Sequence, residues 1–251
     1  MKRLSQFKWL LAAVLSVLIS LAARSQVAVR TLTPHDGESA PQAIQFSGFD
    51  WLVKSSHGSV GPGPNVFAMD GVRVDPQGRL HLSIVPQGGH WICSEVISKR
   101  SFGYGTYRFV VRETANLDMN AVLGLFTWDT SASEHQYREV DIELSRWGDA
   151  ENQNAQFVVQ PFVRTENLNR FELPPGRAVL SFTWSPGRLL CRASVYSRVI
   201  REHLFTQGVP APGHENVRMN LWLYRSLPPA NGKPVEVVID RFEFLPESKG
   251  N

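Results

Sequence analysis

Three carboxylates stand at alternate positions in the stretch YREVDIELSRWG, residues 137–148: Glu139, Asp141 and Glu143, interleaved with Val140, Ile142 and Leu144. Side chains on an extended strand point alternately to its two faces, so the acids would share one face and the aliphatics the other. Glu139 and Glu143 would then have Cα atoms about 13 Å apart, at about 3.3 Å per residue. Two long side chains leaning together over a curved sheet bring such carboxyls to about 5–6 Å. That is close to the separation at which one carboxylate attacks an anomeric carbon while the other acts as acid and base. Asp141, between them, is placed to hydrogen-bond a Glu and tune its charge. Enclosure and like charge both raise carboxyl pKa values, which suits a general acid, while an ionised neighbour can serve as nucleophile. The same alternation also describes an ordinary strand with one solvated face. Calcium binding is a third reading of clustered oxygens, although the EF-hand loop with its central Gly is absent.

The rest of the chain must supply a scaffold that encloses this strand. From about residue 44 onward, short runs of alternating or apolar residues are separated by turn signals. They include GVRVD, RLHLSIV, HWICSEVIS, YGTYRFVVRE, AVLGLFTWD, AQFVVQPF, RAVLSFTW, RLLCRASVY, VRMNLWLY and VEVVIDRFEF. Helical periodicity is lacking, with only REHLFTQG (201–208) expected as a short turn. About ten strands in one unit predict an all-β fold, an antiparallel β-sandwich of jelly-roll type spanning 44–246.

Residues 1–25 read as a cleavable signal peptide: Lys2, Arg3 and Lys8 precede an apolar run, and Ala23-Arg24-Ser25 offers small residues at a cleavage site. The run is shorter than the roughly 20 residues of a membrane span. A polar lead-in (26–43) and a short tail (247–251) flank the expected domain. Export would place the protein in the periplasm or medium, with no membrane association in the mature form. Residues 1–25 carry four basic residues and no acid, so the rest holds 22 Lys and Arg against 23 Asp and Glu. That balance gives no basic surface for nucleic acid. Cys93 and Cys191 could pair in an oxidising compartment, but two buried thiols in strands are the favoured expectation. No G-x-S-x-G elbow, H-E-x-x-H helix or P-loop occurs.

In order along the chain stand FGYGTYRFVVR (102–112), GLFTWD (124–129), EVDIE (139–143), SFTWSPGRL (181–189), MNLWL (219–223) and VIDRFEF (238–244). Through these the chain resembles family 16 glycoside hydrolases, which share the concanavalin A-like jelly roll, over about residues 44–246. The resemblance implies Glu139 as nucleophile, Asp141 as its assistant and Glu143 as general acid/base. Because EVDIE lacks the extra residue that laminarinase-like, agarase-like and carrageenase-like members carry before the second Glu, it looks most like the lichenase and xyloglucan transglycosylase branches. Departures fall at positions that line substrate subsites in the family. Tyr137-Arg138 stands where lichenases often have Trp-Asp, Ile97 replaces an Arg two residues after the matching Glu95, and Val158 replaces an Asn beside the matching Gln156.

Aromatic residues point the same way without the family. Trp128 shares a strand face with Phe126, and Trp222 with Asn220 and Tyr224; flat rings stack on sugar faces while amides and acids bind hydroxyls. The expected substrate-binding set is Glu95, Trp128, Tyr137, Gln156, Asn220 and Trp222. The expected activity is a secreted retaining endo-β-glycosidase acting on a polysaccharide, most simply of β-glucan type. A transglycosylase and a non-catalytic carbohydrate-binding protein are the alternatives. No cofactor is expected and nothing indicates a structural calcium ion; the partner is a polysaccharide or oligosaccharide, and the protein is expected to be a monomer.

Overall fold

A computed structural model describes residues 42–115 and 117–247. The expected signal peptide, nearly all of the lead-in and all but the first residue of the tail lie outside the described residues. In chain order the strands are β1 (Ala43–Phe46), β2 (Phe49–Val53), β3 (Val66–Phe67), β4 (Val72–Val74), β5 (Leu80–Gln87), β6 (His90–Ser98), β7 (Gly105–Val111) and β8 (Ala121–Trp128). They continue as β9 (Val140–Leu144), β10 (Ala155–Val159), β11 (Leu168–Phe171), β12 (Ala178–Ser185), β13 (Arg188–Val195), β14 (Arg198–Phe205), β15 (Asn216–Leu223) and β16 (Val235–Pro246).

They form an antiparallel β-sandwich of jelly-roll type. One sheet runs β11-β10-β9-β8-β15-β6-β2-β1, the other β4-β5-β16-β7-β12-β13-β14. Pairing is antiparallel throughout except where β3 lies parallel to β6. The two sheets are joined by the β5–β6 hairpin, where Gln87 pairs with His90 across Gly88 and Gly89. Both glycines have positive φ (58° and 82°), the backbone a two-residue hairpin turn needs and other residues adopt at a cost.

Alternation fixes which face each strand buries. Val140, Ile142 and Leu144 of β9 are all but fully buried in the core, with Leu123 and Leu125 of β8, Phe157 of β10, and Met219 and Leu221 of β15. Phe109, Leu180, Phe182 and Phe242 of the second sheet belong to the same core. Burying an aliphatic side chain stabilises by about 1.5–3 kcal/mol. A one-residue slip of β9 would trade three such residues for three carboxylates, so its register is strongly specified. Cys93 in β6 and Cys191 in β13 are free and buried, as favoured from the sequence, and burial pushes the Cys93 thiol up to about 12.

Two expectations need correction. Sixteen strands are present among the described residues, more than the ten or so expected, because the extra ones are mostly two to five residues long. Residues 201–205 of the expected REHLFTQG turn are in β14, paired to β13 with Glu202 bonded to Arg192. This strand lies at the sheet edge, so its partly exposed polar residues blur the alternation that marks the others.

Candidate active site

On the outer face of the first sheet, register aligns side chains in transverse rows. One row reads Glu95 (β6), Asn220 (β15), Gly124 (β8), Glu143 (β9), Gln156 (β10) and Arg170 (β11), each paired with the next. The neighbouring row reads Ile97, Arg218, Phe126, Asp141, Val158 and Leu168. Six strands thus bring three acids (Glu95, Asp141 and Glu143), an amide pair and two guanidinium groups into adjacent lines.

A cavity of about 440 Å³ opens over these rows. Glu139, Asp141 and Glu143 line it together with Phe126, Trp128, Trp222, Glu95 and Asn220, and Lys54, Gly61, Pro62, Gly124, Thr130 and Arg218 complete the lining. Of the residues expected from the sequence, the acids, Glu95, Trp128, Asn220 and Trp222 therefore meet at one site. Tyr137 and Gln156 do not line it. The Tyr137 ring lies stacked on Trp128, 4.1 Å between centroids and 9° from parallel, so it backs a wall of the site instead of forming one. The Gln156 amide is taken up by protein partners: Nε2 donates to Glu143 Oε2 at 2.5 Å, and Oε1 accepts from Arg170 Nε and Nη2 at 3.1 and 2.7 Å. Tyr224, placed by alternation beside Trp222, leaves the strand because the chain turns into a 3-10 helix at Tyr224–Ser226.

Glu95 is nearly inaccessible and sits between two cations: Lys54 Nζ at 2.8 Å from Oε2 and Arg218 Nη1 at 3.0 Å from Oε1. Two ion pairs of this geometry offset the cost of taking the carboxyl out of water. Lys54 also donates to Gly61 O at 2.8 Å and lies 4.1 Å from the centre of the Phe67 ring. Arg218 carries the same parity as Asn220 and Trp222, so the alternation of VRMNLWL already signals it. Lys54 and the Gly61-Pro62 loop give no such signal, since a loop brings them. Asn220 Oδ1 and Arg218 Nε are buried without a hydrogen-bond partner among the described residues, one acceptor and one donor at the cavity. Unpaired buried polar atoms are costly and are commonly completed by a ligand or water.

The carboxylates are strongly perturbed. Burial is the largest cause at all three and raises each. Glu139 is pushed up to about 8, opposed by a hydrogen bond with Asp141 and by the charge of Arg218. Asp141 is raised further by the charges of Glu139 and Glu143, while Gln160 Nε2, 3.2 Å from Oδ2, favours the ionised form. Glu143 is raised by burial against the lowering effect of Gln156 and Arg170. Asp141 therefore holds a proton most readily and uses it to donate a hydrogen bond to Glu139, the ionised partner; the pair titrates as a unit.

Glu139 is aimed by an unusual backbone. Gln136, Tyr137 and Arg138 have φ of 51°, 56° and 52°, three successive non-glycine residues in the left-handed region immediately before it. That conformation is costly for each. Buried Asp129 anchors the run, accepting from Arg138 Nε (3.1 Å), Ser131 Oγ (2.6 Å), and the Ser131 and His214 backbone (3.0 and 3.1 Å). Burial opposes ionisation of Asp129, but these bonds outweigh it and hold its pKa at about 2. Thr127 Oγ1 donates to Arg138 O at 2.8 Å, and the Asp129 N–H donates to Tyr137 O at 2.7 Å. The Tyr137-Arg138 departure is thus built into the local support of Glu139.

The chain superposes on solved structures of the same architecture. A β-glucanase from Bacillus licheniformis matches with a TM-score of 0.60 at 18% identity, covering 78% of this chain and 92% of the other. A β-1,3-1,4-glucanase (lichenase) from a mouse hindgut metagenome matches at 0.61 and 17%, covering 78% and 93%. A β-1,3-glucanase from Mycobacterium marinum matches at 0.56 and 13%, covering 77% and 90%. The likeness is one of fold. No protein-family model matches the chain, and no curated protein matches it by sequence.

Proposed function

We propose that this protein is an exported retaining endo-β-glycosidase that hydrolyses a polysaccharide, of β-glucan type. The observation that carries the reading is the enclosed carboxylate triad, set beside aromatic rings and unpaired polar atoms in one cavity. The three structural neighbours described above are named as glucanases, which supports it at the level of fold.

In this reading a sugar ring lies against Trp128 and Trp222, with hydroxyls meeting Asn220 and Arg218. Glu139 attacks the anomeric carbon and forms a glycosyl-enzyme ester as the bond to the leaving oxygen breaks. Glu143 gives its proton to that oxygen, then takes a proton from the water that hydrolyses the ester and regenerates both carboxyls. Protonated Asp141 donates a hydrogen bond to Glu139, keeping it anionic in the resting site and easing its departure in the second step. Low permittivity strengthens each of these interactions. No cofactor is needed.

The test is a panel of mixed-linkage glucan, laminarin, xyloglucan, agarose and porphyran assayed for reducing ends. New ends from the native protein, and loss of at least a thousandfold with Glu139→Gln, are expected. Retained hydrolysis in that variant sinks the mechanism. Chain lengths that redistribute without new ends would make the protein a transglycosylase, and binding without either would make it a lectin-like module.

A further inference from the structure

We propose that Arg170 is a positioning residue for Glu143, acting through the amide of Gln156. The inference rests on the glycosidase reading and adds to it a residue two strands beyond the carboxylates. Arg170 does not line the cavity. Its guanidinium is fixed by three independent contacts: the Trp147 ring at 4.3 Å, Asn152 Oδ1 at 3.1 Å from Nη1, and the forked bond from Nε and Nη2 to Gln156 Oε1. Trp147 and Asn152 both lie in the β9–β10 connection, so the turn after the carboxylate strand folds back to hold this arginine.

A glutamine amide has a donor end and an acceptor end, and an arginine has donors only. With two N–H groups of Arg170 on Oε1, the amide has one orientation, and Nε2 must face Glu143. The bond to Oε2 occupies that oxygen and leaves Oε1 to carry the proton destined for the leaving group. If Arg170 is lost, nothing prevents the amide from turning over. Its oxygen would then meet Glu143 and favour the protonated carboxyl over the ionised one. The charge of Arg170 also opposes the rise that burial imposes on Glu143, so its loss acts in the same direction. The other charged groups facing Glu143 are Asp141 and Glu139, beside it in the carboxylate segment; β8 and β10 contribute uncharged Gly124 and Gln156. Removing Arg170 therefore raises the pKa of the acid.

The experiment is the pH dependence of kcat/KM, whose alkaline limb reports the acid. In Arg170→Met the limb is expected to move up by about one pH unit. Turnover should fall roughly tenfold or more from the misplaced carboxyl, with KM little changed. Arg170→Lys keeps the charge without the fork and should shift the limb less; it also serves if Arg170→Met does not fold. Gln156→Ala should move the limb as Arg170→Met does, and the double variant should add nothing. An unmoved limb in both Arg170 variants, or additive shifts in the double variant, overturns the proposal. If the native protein cleaves no polysaccharide, the glycosidase reading fails by itself. The relay is then read by carbon-13 titration of the Glu143 carboxyl, where an unchanged midpoint in Arg170→Met would refute it.

Discussion

A single hydrogen atom on Gly124 decides the shape of the cavity floor. A Cβ at this position would lie 2.4 Å from Asn220 Oδ1 and in ordinary contact with Phe126. The obstructing atom is the end of a side chain, so Gly124→Ala should fold, with a loss of about 1 kcal/mol or less, while displacing Asn220. Losing one well-placed hydrogen bond to a sugar hydroxyl would raise KM by roughly three- to tenfold. Thermal melting and Michaelis kinetics check this; a large fall in melting temperature with unchanged KM would show that the glycine serves packing instead. Residues of this kind were unevenly legible in the sequence. Glu95, Asn220 and Trp222 could be found because a period of two carries them to one face with the apolar residues opposite. Arg170 could not, because its importance depends on β11 pairing with β10, a non-local fact no residue pattern contains. Gln156 was legible in the sequence but not in its role, since Arg170, which claims its amide oxygen, lies on β11.

At the scale of elements, β9 was the clearest part of the sequence and the segment before it the most hidden. Alternation gives β9 its two faces, whereas three consecutive left-handed residues without glycine contradict local preference. Such strain persists only where surrounding bonds over-determine it, and here Asp129, Thr127 and Trp128 do so. Asp129→Asn should cost roughly 1–3 kcal/mol by weakening buried, charge-assisted bonds. It should also slow turnover on whichever polysaccharide is cleaved, because Glu139 follows directly on the run. Urea unfolding and kcat measure the two effects; full turnover in a destabilised variant would mean that the run does not aim the nucleophile. The short strands β1, β3 and β11 escaped a sequence reading for a simpler reason. Two to four residues cannot display a period.

For the molecule as a whole, the perturbed acids make stability depend on pH in opposite senses. The coupled Glu139–Asp141 pair, with the shared proton on Asp141, holds it from the ordinary carboxylate range up toward pH 8, so in that window the folded chain binds more protons than the unfolded chain. Stability therefore falls as pH rises through that window. Asp129 and Asp75 are depressed, so their contribution is full above about pH 4 and is lost as pH falls toward 2. Melting temperature should peak in mildly acidic buffer and decline toward pH 8. Asp141→Asn, which removes the titrating group that holds the shared proton, should flatten the alkaline decline and gain on the order of 1 kcal/mol at pH 8. Parallel curves for the two proteins from pH 4 to 8 would refute this. The sandwich itself was readable from strand patterns, but not the order of its strands, since pairing partners are chosen by long-range packing.

That order has a temporal meaning. β15 lies between β8 and β6, and β16 between β5 and β7, so the last strands of the chain fill the middle of both sheets. Until they arrive, each sheet has a gap where its neighbours should bond, and the row from Glu95 to Gly124 lacks Asn220 between them. Closure must wait for the C-terminal segment, and contacts of such long sequence separation form slowly. A chain cut short before β15 would keep all three carboxylates yet lack Asn220 and Trp222 of the cavity and the continuity of both sheets.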